Sequence, residues 1–318
     1  MDIKKLAAGI QAETEKIIVG KSDRIKLIIM AVLADGHVLL DDLPGVGKTT
    51  MVKAISIALG CESGRIQFVP DMLPSDIIGM RVYNQKTGDF ELRQGPVMTN
   101  ILLADEINRA IPRTQSALLE AMEERQISID GERFALPRPF LVLATQNPVE
   151  SESTFRLPAA QMDRFLIRLS MGYPSPEEER RMLFTLGDEI PFGSVKPVTN
   201  SDELIAAQHE VASVHVSDDV AAYIVALADA TRSHPQLAMG ASPRATRGLY
   251  RAAKVWAAMD GRDFVTPDDV RALAHPVLEH RVMLDSGARF AGYTAAKAID
   301  DVLASTEAAP SAERLLDE

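Results

Sequence analysis

The chain has 318 residues, enough for roughly two domains of about 150 residues each, and its 46 % apolar and 25 % charged composition excludes a disordered chain. A net charge of −11, from 45 acidic against 34 basic residues, disfavours unspecific binding to nucleic acid or anionic membrane. Cys61 is the only cysteine, which excludes an intramolecular disulfide and fits a reducing cytoplasm; no stretch approaches the ~18 apolar residues of a membrane span, and the charged N-terminus does not read as a signal peptide.

Ile3, Leu6, Ile10, Ile17 and Ile18 recur at helical spacing and predict a helix over 2–18, with a second over 22–36. The short apolar run His37–Leu40 predicts a strand, followed by a glycine-containing loop and a helix from Lys48 to about Leu59. Further strands are expected at 65–69, 101–105, 140–145 and 165–170, with helices near 114–125 and 158–163. The strands are continuous apolar runs alternating with helices, the pattern of a mostly parallel sheet covered on both faces. Two stretches, 80–94 and 126–136, read instead as β-hairpins inserted into that α/β core. After Tyr173–Pro176 the strand-like runs stop. Helices are expected at 176–186, 202–213, 218–233, 243–259, 267–274 and 292–304, three of them opened by Ser-Pro or Thr-Pro. The reading is therefore a nucleotide-binding core over 1–174 and an all-α domain over 175–318.

The segment from Asp41 to Thr50 joins a strand to a helix through Pro44, Gly45, Val46 and Gly47. Glycines at such a junction let backbone N–H groups turn towards phosphates, and the helix N-terminus adds positive potential. Lys48 is placed to reach the β- and γ-phosphates of ATP and Thr49 to ligate Mg²⁺, with Thr50 opening the helix beside them. The position where the usual pattern starts with Gly is Asp42 here. The strand Ile101–Ala104 ends in Asp105 and Glu106: the first is suited to hold Mg²⁺ through water, the second to orient or deprotonate the attacking water. Asn147, after the strand Leu141–Thr145, either hydrogen-bonds the γ-phosphate or water, or forms an Asx turn before Pro148. Arg164 precedes the last strand, where a salt bridge with Asp163 or Glu152 is the plain alternative, and Arg244 opens a helix, where an ordinary surface arginine is. The six histidines have no metal-ligand spacing.

Taken together, the words LLDDLPGVGKTT, RIQFVPDMLPSDIIG, ILLADEINRAIPRTQSALLEAMEERQISIDG, FLVLATQNP, LPAAQMDRF, YPSPEEE and GASPRAT resemble the MoxR family of AAA+ ATPases, in the family's order and over about residues 15–285. Asp42 is the residue that family uses in its loop, while Glu150–Phe155 departs from a stretch in which relatives often carry glycine. The resemblance implies an AAA+ core with a helical lid, ATP hydrolysis to ADP with Mg²⁺, and the two hairpins as the insertions of the helix-2-insert branch. It implies Val19 and Gly20 near the adenine, Asn147 as the first sensor, Arg164 as the arginine finger offered to a neighbouring subunit, and Arg244 as a second sensor over the same subunit's nucleotide. It further implies a homo-hexameric ring that remodels or matures protein complexes, with partners carrying von Willebrand factor A domains or related modules. A chelatase-type motor for metal insertion is the alternative closest in design. A nucleic-acid motor is disfavoured by the acidic balance, and a small-molecule kinase needs neither a neighbour's arginine nor a helical lid.

Overall fold

A computed structural model describes residues 1–41, 45–146, 155–186 and 190–308, with the side chains of 185 and 186 left aside. Helices α1 (Ile3–Glu15) and α2 (Ser22–Leu33) lead into strand β1 (His37–Asp41), then α3 (Lys48–Ala58), β2 (Ser63–Gln67) and the short α4 (Pro74–Ile78). The hairpin β3 (Gly79–Asn84) and β4 (Asp89–Gln94) precedes β5 (Ile101–Asp105) and α5 (Pro112–Glu124). A second hairpin, β6 (Gln126–Ile129) and β7 (Glu132–Ala135), is followed by β8 (Leu141–Gln146), α6 (Ala159–Met162) and β9 (Phe165–Leu169).

The five strands β2-β5-β8-β1-β9 form one parallel sheet. Their side chains alternate between two apolar layers, as strand geometry requires. Val38, Leu40, Ile101, Leu103, Leu141 and Leu143 face α1, α2 and α3. Leu39, Leu102, Ala104, Val142 and Ala144 face α5 and the β6–β7 hairpin. The hairpin turn Asp130-Gly131 takes left-handed backbone at both positions (φ 51° and 83°), the two-residue turn that Asp-Gly favours.

The remaining chain is α7 (Pro176–Leu186), α8 (Ser201–Val211), α9 (Asp218–Ser233), β10 (Leu237–Met239), α10 (Pro243–Met259), α11 (Pro267–Leu278), β11 (Met283–Leu284), α12 (Ser286–Phe290) and α13 (Ala295–Ser305). Ser242 and Thr266 cap α10 and α11, and Pro243 and Pro267 open them, as the sequence predicts; Ser217 caps α9. The all-α reading needs one correction: β10 and β11 pair antiparallel. Strands of three and two residues are too short to show a period. Helix α11 also runs past the expected 274 to Leu278, taking Pro276 into its last turn. Helix α10 packs on α1 and α2, so the apolar layer on that side of the sheet continues through Leu249, Ala252 and Ala253 into the helical lid.

Candidate functional site

Carboxyl ends of parallel strands are where ligands bind in open α/β sheets, and the predicted residues collect there. Leu40 pairs with Thr145 and Gln67 with Asp105, which levels the ends of β1, β8 and β5. With strands ~4.8 Å apart, the loop after β1 and the acidic end of β5 flank Thr145 at a separation of about 10 Å. Asp42, Leu43 and Pro44 lie outside the described residues. Gly45 and Gly47 adopt φ of 86° and 84°, where an L side chain is strained, and an added Cβ at either would meet nothing within 4 Å. Gly47 brings no side chain to cap α3, and N–H groups at a helix start suit an anion. Lys48 is buried at the helix start, and Thr49 is exposed.

Beside this loop is a largely apolar cavity of about 490 Å³. Ile18, Val19, Val46, Met171, Tyr173 and Leu183 are among the residues that form it, with Gly45, Gly47 and Thr50 at its phosphate end. Gly20 turns the chain at its edge with φ 73°. An apolar slot for a base, contiguous with an uncapped helix start and a buried lysine, fits a nucleotide.

The acidic end is held by a network the sequence does not announce. Thr145, fully buried, donates its hydroxyl to Asp105 Oδ1 at 2.7 Å and accepts the Glu106 N–H at 2.8 Å. Arg65 Nη2 donates to Asp105 Oδ2 at 2.8 Å. Glu106 has left-handed backbone (φ 55°), and its Oε2 accepts from Gln67 Nε2 at 2.8 Å and from Arg109 Nη1 at 2.9 Å. Asp105 and Glu106 are thus fixed carboxylates at the carboxyl end of β5, a donor set that suits a divalent cation and a water.

The two site arginines lie elsewhere. Neither Arg164 nor Arg244 lines the cavity beside the phosphate loop. Both line a separate cavity of about 270 Å³, with Arg125, Arg247, Arg251 and Arg281 and the carboxylates Asp35, Glu123 and Asp163. Arg164 Nε donates to Glu123 Oε2 at 2.7 Å, and Arg244 Nη2 donates to Glu123 Oε1. Between them, Asp163 ties lid to core: it accepts the Ser242 hydroxyl at 2.7 Å and pairs with Arg281 at 3.0 Å. Burial lowers the Arg281 pKa to about 10 despite the opposing pull of Asp163. The structure therefore groups Arg244 with Arg164 around Glu123. Asn147 and residues 148–154 lie outside the described residues, which takes in all of the Glu150–Phe155 departure except Phe155. Thr145, Arg65, Gln67, Arg109 and Glu123 all lie within the family's words, but nothing in the sequence gives any of them a role. Thr145 has the one visible signal, a polar residue closing an apolar strand.

The family model described as ATPases associated with various cellular activities matches residues 37–167, and the AAA lid domain model matches residues 229–302. The chain is 46 % identical to the Bacillus subtilis protein YeaC over 96 % of both chains. It is 44 % identical to the chaperone MoxR1 of Mycobacterium tuberculosis, over 86 % of this chain and 74 % of that one. A crystal structure from Cytophaga hutchinsonii, of a protein assigned as an ATPase, superposes with a TM-score of 0.91 at 35 % identity over 96 % of both chains.

Proposed function

This chain belongs to the MoxR family of AAA+ ATPases and is an ATP hydrolase, and from that premise we propose that it works as a cytoplasmic homo-oligomeric ring, six subunits in the family's usual form, that remodels or matures protein complexes. The observation that carries the ring is the placement of Arg164 and Arg244. Phosphoryl transfer needs cations on the charge that develops, and these two line a cavity other than the one beside the chain's own phosphate loop. A neighbouring subunit's ATP is the partner that accounts for both, so Arg244 is reassigned from its own subunit's nucleotide to the neighbour's.

Within one subunit, residues 1–174 form the nucleotide-binding core and 175–318 the lid. Pro44, Gly45, Val46, Gly47 and Thr50 cradle the phosphates, and Val19 and Gly20 border the base. Lys48 places its charge on the β- and γ-phosphates. Thr49 and Asp105 hold Mg²⁺, which when bound supplies charge neutralisation at the phosphates. Glu106 orients the attacking water and takes its proton; Asn147 positions that water or the γ-phosphate. ADP and phosphate leave, and the subunit interface resets.

The partners proposed are proteins with von Willebrand factor A domains or related client proteins, with the hairpins as the client-facing parts. Affinity capture tests this. A Glu106→Gln ring holding ATP is expected to retain such a partner, and a Lys48→Ala ring, unable to bind ATP, to lose it. In the same samples Glu106→Gln should bind ATP normally and turn over on the order of 10²–10⁴-fold more slowly. Equal recovery by both variants, or specific recovery of a tetrapyrrole metal-insertion enzyme, removes the remodelling assignment.

A further inference from the structure

We infer that Glu123 is a positioning residue for ATP hydrolysis, a carboxylate that holds Arg164 and Arg244 side by side as one receptor for the terminal phosphate of a neighbouring subunit's ATP. The inference rests on the reading that both arginines face that neighbour. Each oxygen of Glu123 serves one arginine: Oε2 takes Arg164 Nε at 2.7 Å, and Oε1 takes Arg244 Nη2. The grip on Arg164 is through Nε alone. Its two Nη groups make no hydrogen bond with any described residue, so the edge of the fork that matches a phosphate has no partner among them. Arg244 likewise keeps Nε and Nη1 clear of the described residues.

Without the carboxylate these two guanidiniums, sharing a cavity with Arg247 and Arg281, repel one another and diverge. The platform beneath Glu123 is stiff. The Met122 carbonyl lies 3.1 Å from His37 Nε2, and Arg125 reaches Asp35 at 2.9 Å and the Phe140 carbonyl, so both flanks of Glu123 are bound to the sheet layer. The other ends are fixed too, since Asp163 beside Arg164 is held by Ser242, the residue that caps the helix of Arg244. Such pre-alignment is where an enzyme gains rate, because groups set in place beforehand need no ordering in the transition state. Stability is not the purpose. The three side chains are 29 %, 44 % and 34 % exposed, and ion pairs that open to water contribute little to folding.

Glu123→Gln tests this, since the amide keeps the shape but loses the charge and puts a donor NH2 where one of the two accepting oxygens stood. Turnover is expected to fall on the order of 10²-fold while direct ATP binding and ring assembly stay unchanged. The decisive readout is mixing, with co-assembly followed by sedimentation. Lys48→Ala subunits bring intact Glu123, Arg164 and Arg244 but bind no ATP. Added to Glu123→Gln subunits, which bind ATP, they should restore part of the activity, which also shows that the Gln variant is folded. Arg164→Ala subunits should restore none, because both variants then fail on the same side of the interface. Normal turnover of the Glu123→Gln ring overturns the inference. So does recovery of Arg164→Ala by Lys48→Ala without recovery of Glu123→Gln, which places Glu123 in its own subunit's chemistry. If Arg164→Ala itself is not rescued by Lys48→Ala, the neighbour-facing reading fails and this inference falls with it.

Discussion

Thr145 joins the two carboxylate residues of the site: its hydroxyl donates to Asp105 at 2.7 Å while its oxygen accepts the Glu106 amide at 2.8 Å. Thr145→Val keeps the shape of the side chain and removes both bonds, leaving a buried N–H and a buried carboxylate oxygen short of partners. The expected cost is about 1–3 kcal/mol of stability, read by denaturant unfolding, together with a drop in turnover at saturating ATP. Thr145→Ser should retain most of both. A Val variant as stable and as active as the parent would show that the hydroxyl orients nothing.

Arg65 occupies Asp105 Oδ2 at 2.8 Å from a side chain that is 52 % exposed. A cation bound at Asp105 competes with this guanidinium. Arg65→Gln is therefore expected to lower the Mg²⁺ concentration that gives half-maximal ATPase activity, by a few-fold given the weak hold of exposed pairs. A Mg²⁺ requirement that is unchanged or raised means that the arginine helps to assemble the metal site instead.

His37 is buried between layers, with Nε2 3.1 Å from the Met122 carbonyl and Nδ1 accepting the Val142 N–H at 3.0 Å. That pattern fixes the neutral ring, and burial, with help from Arg125, lowers its pKa from 6.5 to about 3. His280 is buried in the same way against the Phe165 carbonyl and is also pushed well down. The unfolded chain takes up these protons near pH 6.5 and the folded one does not, so stability is fully present above that pH and declines below it. Between pH 6.5 and about 3 for His37, each ring removes at most about 1.4 kcal/mol per pH unit. Urea midpoints measured from pH 7.5 down to 5 should show the slope, and His37→Gln should flatten it; equal slopes would mean that the ring is not held neutral.

The β3–β4 hairpin carries Met80, Val82, Tyr83 and Phe90 on its surface, with Tyr83 and Phe90 in edge-to-face contact at 5.3 Å between ring centres. Among the described residues its two strands form a sheet of their own. Replacing 83–91 by a short Gly-Ser turn should spare basal ATPase and abolish stimulation by a client protein. Loss of ATP binding on the same change would make the hairpin part of the folding core.

The elements that the sequence makes legible are those with a local cause. Buried strands such as Ile101–Asp105 show as apolar runs, capped helices show as Ser-Pro or Thr-Pro, and the phosphate loop shows because glycine, lysine and threonine are needed at consecutive positions. Partnerships across the chain leave no such mark. Glu123 is one of two consecutive glutamates at the end of α5, and its position opposite Arg164 and Arg244 depends on how the lid settles on the core. Arg244 shows the same limit from the other side: the resemblance supplied a role, and packing decided which cavity the side chain lines.

The apolar layer that joins α1 and α2 to α10 also constrains the order in which the chain can be completed. Leu166 on β9 rests against Gly248 on α10, where even one added carbon would stand 3.3 Å from it. A growing polypeptide therefore leaves the surfaces of α1 and α2 that meet α10, and Leu166 of β9, uncovered until the lid helices emerge. At ~5–20 residues per second that interval lasts several seconds, during which the nascent core exposes apolar surface of the kind that aggregates. An isolated fragment that stops after β9 should behave as that intermediate does, sticky and incompletely folded, rather than as a self-contained nucleotide-binding module.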